Sequence, residues 1–245
     1  MPENDRKKGR IIIFSGAGLS AESGLKTYRD HNGLWENYRI EDVATADAFA
    51  AHPERVHNFM SSRRQELASV VPNAAHHGIA TLQKLYSIIN ITQNIDDLLE
   101  RAGCTEVIHL HGFLPEIRCL VCDYVWNIGH TAYHWQPCPR CSGQKTKPNI
   151  VLFGDPAPQY QVLHRLFFPV YKEETLTRKD VVVVIGTMGN VVPIAHYLWG
   201  QECIKILNNL EESSFIPQNM FDYIFLQSAT VAIKNIIETI EKIIL

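Results

Sequence analysis

No stretch of this 245-residue chain approaches the roughly 18 consecutive apolar positions of a membrane-spanning helix. The opening MPENDRKKGR lacks the apolar run of a secretory leader. Positive charge is not in excess: 23 Lys and Arg stand against 26 Asp and Glu, a net charge of −3, so bulk electrostatics does not point to nucleic acid. Internal repeats and low-complexity segments are absent. These absences lead to the expectation of a soluble, cytoplasmic protein that binds neither membrane nor nucleic acid directly, its oligomeric state left open. In such a compartment six cysteines serve metal binding or reactivity rather than a disulfide framework.

What is present begins with Ile11–Phe14, a β-branched run that breaks into Ser15-Gly16-Ala17-Gly18, with Ser20, Glu22 and Ser23 close behind. Such a break lets backbone N–H groups face a phosphate. The third glycine of a G-x-G-x-x-G fingerprint is missing, because Ala21 takes its place. An acidic residue closing a second strand is missing too. On this stretch alone, a nucleotide site and a plain strand–turn–helix both fit.

The remaining apolar runs repeat the pattern. Ile88–Ile91 ends at Gln93–Asp96, and a helix from Asp96 or Asp97 then stops at Gly103. Val107–Leu110 ends at His111, Val181–Ile185 at Gly186–Thr187, Cys203–Leu207 at Asn208–Asn209, and Tyr223–Leu226 at Ser228–Ala229. In an α/β fold with a doubly wound, Rossmann-like parallel sheet, all these ends share one edge, where ligands bind. Six polar clusters on one edge favour a nucleotide-type ligand. His111 is the histidine among them whose titration suits a general base; a hydrogen-bonded structural histidine is the alternative. For Asn94 and Asp96 the alternative is helix capping.

Residues 25–45 read as an ordered loop with short helical pieces. Helices are expected over 54–68, 73–86, 158–178 and 231–245. On the first, Val56, Phe59, Met60 and Leu67 share one face with Arg63 in its middle. An inward arginine has to meet an anion or snorkel to water. Cys119-x-x-Cys122 and Cys138-x-x-Cys141 have the spacing of a closed, structural tetrathiolate zinc site, while Cys104 and Cys203 lie near apolar segments, as buried thiols do. The expected division is a main domain of 1–112 and 145–245, carrying a helical and loop module at about 25–75, with a small zinc-ribbon domain at 113–144 inserted.

Taken together, GAGLSAESG, TYRD, TQNID, HLHG, the two C-x-x-C knuckles, FGD, GTMGNVVP and the LNN region resemble the sirtuins, the NAD-dependent protein deacylases. SAESG and the stretch around EDVATADAF are most similar to the bacterial and mitochondrial sub-group that removes acidic acyl groups. The resemblance implies NAD and one structural Zn(2+) as cofactors, with acyl-lysine proteins or peptides as substrates. It implies that Gly16, Ala17, Gly18 and Ser20, with Glu22, cradle the pyrophosphate. Tyr28, Arg29 and Trp35 would lie over the nicotinamide side, and Gln93, Asn94, Ile95 and Asp96 would line the ribose and nicotinamide pockets. Gly186, Thr187, Met188, Asn208, Asn209 and Ala229 would hold the adenosine half. Val151, Phe153, Gly154 and Val191 would clamp a peptide as an added strand. Met60 and Arg63 would line the acyl pocket.

The implied chemistry is attack of the acyl oxygen on the nicotinamide ribose. His111 then serves as general base on a ribose hydroxyl, with Asn94 and Asp96 beside it, and the products are free lysine, nicotinamide and O-acyl-ADP-ribose. Three positions depart from the family pattern: Tyr28 stands where Phe is usual, Met188 where Ser is usual, and Met60-x-x-Arg63 replaces the Tyr-x-x-Arg of acid-acyl enzymes. An NAD glycohydrolase or mono-ADP-ribosyltransferase on the same scaffold is the alternative activity. A non-enzymatic zinc-ribbon binding module is a third reading, and Arg118, Arg140, Lys145 and Lys147 are too scattered to give it a basic face.

Overall fold

The computed structural model describes residues 9–26, 34–35 and 38–244, with the backbone alone at 34–35. Strand β1 (Ile11–Ser15) is buried at every position, as a strand covered on both faces must be. It runs into the short helix α1 (Gly18–Ala21). Two-residue strands β2 (Leu34–Trp35) and β3 (Tyr38–Arg39) pair antiparallel. Helices α2 (Ile40–Val43), α3 (Ala46–Ala51) and α4 (Pro53–Ser69) follow. The Thr45 side chain caps α3 by accepting from Ala48 N–H, and Pro53 opens α4 where a missing N–H removes no helical bond. A capping box of Asn73 and His76 starts α5 (Ala74–Leu85).

Strand β4 (Ile88–Thr92) leads to α6 (Leu98–Ala102), which closes on Gly103 at φ +105°, the left-handed cap that glycine favours. Strand β5 keeps only Ile108–His109 of the expected 107–110. Strands β6 (Gly112–Cys119), β7 (Val125–Asn127) and β8 (Thr146–Ile150) come next, then α7 (Tyr160–Phe167), β9 (Val181–Ile185), α8 (Ile194–Leu198), β10 (Ile204–Asn209), β11 (Tyr223–Leu226) and α9 (Ala229–Ile244).

Six strands form one parallel sheet in the order β11-β10-β9-β1-β4-β5. The chain leaves β1 toward β4 and β5, then crosses back to β9 and its neighbours, which is the doubly wound topology the sequence predicts. Alternation along β1 splits the core. Ile11 and Ile13 pack with α5 and α9 on one face, and Ile12 and Phe14 with α7 and α8 on the other. Ile233, Ile236 and Ile240 of α9 are buried, each contributing about 1.5–3 kcal/mol.

A second unit combines α2–α4 with a three-stranded antiparallel sheet ordered β7-β6-β8. Its separate core includes Val56, Phe59, Met60 and Leu67 of α4 with Leu114 and Ile150. The small sheet runs past the expected end at 144, because β8 supplies its third strand. Helix also does not extend over 158–178. It stops at Phe167, short of Pro169, whose ring and missing N–H oppose continuation. A 3₁₀ turn at Lys172–Glu174 follows, and Asp180 then anchors the chain by accepting from Thr177 N–H and pairing with Arg10. No helix among the described residues is long and apolar enough to cross a membrane.

Candidate active site and metal centre

The switch point lies between β1 and β9. The loops that leave these strands pack backbone against backbone: Gly16 N–H donates to Ile185 O at 2.9 Å and Gly18 N–H to Gly186 O at 2.8 Å. A Cβ on Gly18 would stand 2.7 Å from Gly186 Cα, and Gly186 has φ +62°. Both positions require glycine. Ala21 is exposed, so close packing does not demand a third glycine there.

Beside these loops lies a cavity of about 900 Å³, within the size range of a cofactor site. Its wall includes Gly16, Ala17, Gly18, Ser20, Gln93, Asn94, Ile95, Asp96, His111, Gly186, Thr187, Met188 and Asn209. The same wall includes Met60, Arg63, Val151, Phe153, Gly154 and Val191. Neighbouring strand residues face opposite ways, so Asn208 diverges from Asn209 and donates to Phe225 O and Gln227 O, tying β10 to β11. Glu22 accepts from Thr230 N–H at 3.0 Å and from its hydroxyl at 2.7 Å, capping α9 across the fold. Ala229, the first residue of that helix, is buried in the core. Tyr28 and Arg29 lie outside the described residues, as does the side chain of Trp35.

Hydrogen bonds connect the strand ends. Asn209 clasps Thr187 through both backbone groups, at 3.0 and 2.8 Å. The Thr187 hydroxyl accepts from Gln93 Nε2 at 2.9 Å, and the Gln93 carbonyl accepts from His111 Nδ1 at 2.9 Å. His111 Nε2 meets the Tyr160 hydroxyl at 2.9 Å. Burial holds this imidazole below its ordinary titration, against the pull of the Gln93 carbonyl, so the ring is a neutral base. Ser20 donates to Asp96 at 2.9 Å and accepts from Asn94 Nδ2 at 3.1 Å. Burial pushes the Asp96 carboxyl up to about 6.

His109 has acceptors at both nitrogens: Asn94 O and a Glu100 carboxylate oxygen, each at 2.8 Å. Two acceptors, one at each nitrogen, favour the protonated ring. Burial opposes the charge, but Glu100 outweighs it and holds the pKa above its ordinary value.

Arg63 pairs with Glu66 three residues on and lies 5.6 Å over the Phe59 ring. The acid neighbour that its buried position demands is therefore on its own helix, at the i, i+3 spacing. Arg64 is fully buried as well; its Nε donates to Leu114 O at 2.7 Å, and burial pulls the guanidinium down to about 10. Sequence reasoning passes over Glu66, His109 and Tyr160. The helical spacing points to the first, whereas no local pattern points to Tyr160.

The Val151–Gly154 segment is held at several points. Val151 N–H donates to His111 O at 2.8 Å, and Phe153 exchanges bonds with Ala44 O and Ala46 N–H, both at 2.9 Å. Asp155 pairs with Lys147 and accepts from Leu152 N–H.

Cys119, Cys122, Cys138 and Cys141 bring their sulfurs together within 4.8 Å of one another. The Cys119–Cys141 and Cys122–Cys138 separations are 3.7 and 3.8 Å. Four thiolates around zinc at about 2.3 Å form a tetrahedron with edges of about 3.8 Å, so the set fits one structural zinc ion. Cys104 and Cys203 are buried, and their thiols are pushed up to about 11, as unreactive core thiols are.

The fold and the site define an α/β protein with a nucleotide-type cleft at its switch point and an inserted tetrathiolate unit. The Sir2 family model matches residues 16–193. A Campylobacter jejuni protein named NAD-dependent protein deacylase is 42% identical over 233 residues, covering 94% of this chain and 95% of that protein. A Helicobacter hepaticus protein of the same name is 42% identical over 255 residues, covering 95% and 98%. A crystal structure of a Sir2 homologue in complex with NAD superposes with a TM-score of 0.78 at 32% identity, covering 100% of this chain and 96% of that one. The chain belongs to the Sir2 family, as the motifs that resemble the sirtuins imply.

Proposed function

We propose that this chain is an NAD-dependent protein-lysine deacylase that releases nicotinamide, O-acyl-ADP-ribose and free lysine. The observation that carries this is the placement of His111, in a cavity whose wall joins the switch-point loops to α4 and the Val151–Gly154 segment. NAD, when bound, supplies the ribose carbon that receives the acyl oxygen and the hydroxyl that takes the acyl group. Gly16, Ala17, Gly18 and Ser20 hold the pyrophosphate; Gln93, Asn94, Ile95 and Asp96 line the ribose and nicotinamide side. Gly186, Thr187, Met188 and Asn209 take the adenosine half; Asn208 ties that wall to β11, Glu22 ties it to α9, and Ala229 opens α9 beside it. His111 takes a proton at Nε2, because the Gln93 carbonyl keeps the other nitrogen protonated. His109 fixes the loop of Asn94 through its backbone carbonyl.

Backbone groups of successive strand residues point to alternate edges. Phe153 uses its N–H and C=O on Ala44 and Ala46, and Leu152 uses both of its own on Asp155, so a substrate peptide meets this segment at Gly154, with Val191 on the same cavity wall. The substrates are acylated proteins, and the setting is the cytoplasm, where reduced thiols stay available to zinc. A glycohydrolase or ADP-ribosyltransferase would use the same loops without needing the Met60 and Arg63 wall. Mass spectrometry of products from NAD and an acetyl-lysine peptide tests the reading: O-acetyl-ADP-ribose is expected, and ADP-ribose alone or an ADP-ribosylated protein would overturn it.

A further inference from the structure

Tyr160 opens α7 and stands on the cavity wall. Its hydroxyl is 2.9 Å from His111 Nε2, with the rings 5.9 Å apart at 42°. His111 Nδ1 is 2.9 Å from Gln93 O. A carbonyl only accepts, so Nδ1 carries a proton, and on the neutral ring Nε2 has a single lone pair. The phenol O–H donates to it. A substrate hydroxyl that is to give its proton to this histidine needs the same lone pair, so the tyrosine occupies the place of the incoming hydroxyl.

We propose that Tyr160 is a positioning residue: its hydroxyl holds His111 as the neutral Nδ1–H tautomer and yields its place to the ribose hydroxyl when both substrates are bound. The proposal rests on the reading of His111 as the base. On displacement the phenol keeps its proton, and the proton from the ribose hydroxyl goes to Nε2. A hydrogen bond donated to the neutral form disfavours the charged one, and burial acts in the same direction.

Other charged groups share the wall. Asp155 is paired with Lys147, Arg63 with Glu66, and Asp96 accepts from Ser20; Lys26 and Glu211 also lie there. His109, two positions before His111, is engaged by Glu100. Beyond Tyr160, Tyr197 of α8 and His164 of α7 are 3.4 Å apart. The hydrogen bonds to the His111 ring itself involve the Gln93 carbonyl and the Tyr160 hydroxyl.

Tyr160→Phe keeps the ring and removes the hydroxyl. The His111 imidazole resonance, assigned by its loss in His111→Gln, is followed by NMR through its titration. Its midpoint is expected to rise by roughly half to one pH unit in Tyr160→Phe. The acid limb of kcat/KM for an acetyl-lysine peptide should move up by the same amount. An unchanged midpoint overturns the proposal and leaves the deacylase reading standing. Wild-type protein that turns over no acyl-lysine peptide with NAD overturns that reading, and the catalytic meaning of the contact with it.

Discussion

His111 has one nitrogen to offer a substrate, since the Gln93 carbonyl engages the other. His111→Ala should therefore lower deacylation by about 10²–10⁴-fold, the usual contribution of a general base, while the Kd for NAD, measured by calorimetry, changes little. Near-wild-type turnover would refute the assignment. Asp96 and His76 make a second residue-scale test, because they titrate in opposite senses. The Asp96 carboxyl stands at about 6 against an ordinary 3.8. Its pKa is raised on folding, so it adds stability as pH falls through 6 toward 3.8. Burial, with His77 beside it, pulls His76 down to about 4 from 6.5. The folded state resists that proton, so stability is lost as pH falls from 6.5 toward 4. Each effect is about 3 kcal/mol at its limit, so in the wild type they largely offset. Asp96→Asn removes the stabilising half. By pH 4 its stability relative to wild type should have fallen by about 2 kcal/mol more than at pH 7, read by urea denaturation. A constant difference across that range would rule out the raised carboxyl.

At the scale of elements, the proposed function makes α4 the selector among acyl chains. Met60 is fully buried and Arg63 nearly so, and both line the cavity. Arg63 is already paired with Glu66, so a succinyl carboxylate has to compete with a carboxylate held on the same helix. The expected outcome is a broad deacylase, with desuccinylation weaker than deacetylation. Glu66→Gln should raise the succinyl-to-acetyl ratio of kcat/KM by about tenfold, the value of a charge-assisted hydrogen bond of roughly 1.5–3 kcal/mol taken at its low end. Met60→Tyr should act in the same direction, and Arg63→Met should remove desuccinylation and spare deacetylation. If Arg63→Met left the ratio unchanged, the arginine would serve only its ion pair. The apolar face of α4 was legible because burial follows the 3.6-residue period, and Arg63 stood out by interrupting it. Arg64 was not legible: its side chain is buried by the small sheet, which lies far away in sequence. Tyr160 meets His111 across 49 positions, and no periodicity links residues joined only by tertiary packing.

At the scale of the molecule, the metal centre and the active site stand at two ends of one strand pair. Strand β6 begins at Gly112, directly after His111, and ends at the ligand Cys119; β8 runs back from Thr146 and ends at Ile150, directly before Val151. The cysteine spacing disclosed the zinc site from sequence because ligand geometry is local. The pairing of β8 with β6 was not disclosed, since TKPNI carries a proline and only a weak alternation. This pairing connects the four-cysteine cluster to the Val151–Gly154 segment. Metal binding in such a unit contributes directly to folding. Chelation, or Cys141→Ser, should release about one equivalent of zinc per chain and loosen the small sheet. It should raise KM for the peptide more than KM for NAD, because the glycine loops belong to the six-stranded sheet while Val151–Gly154 hangs from β8. Thermal midpoint, metal content and the two KM values, measured on one preparation, check this together. Zinc-free protein with an unchanged midpoint and unchanged peptide KM would show that the four thiols are not a structural metal site.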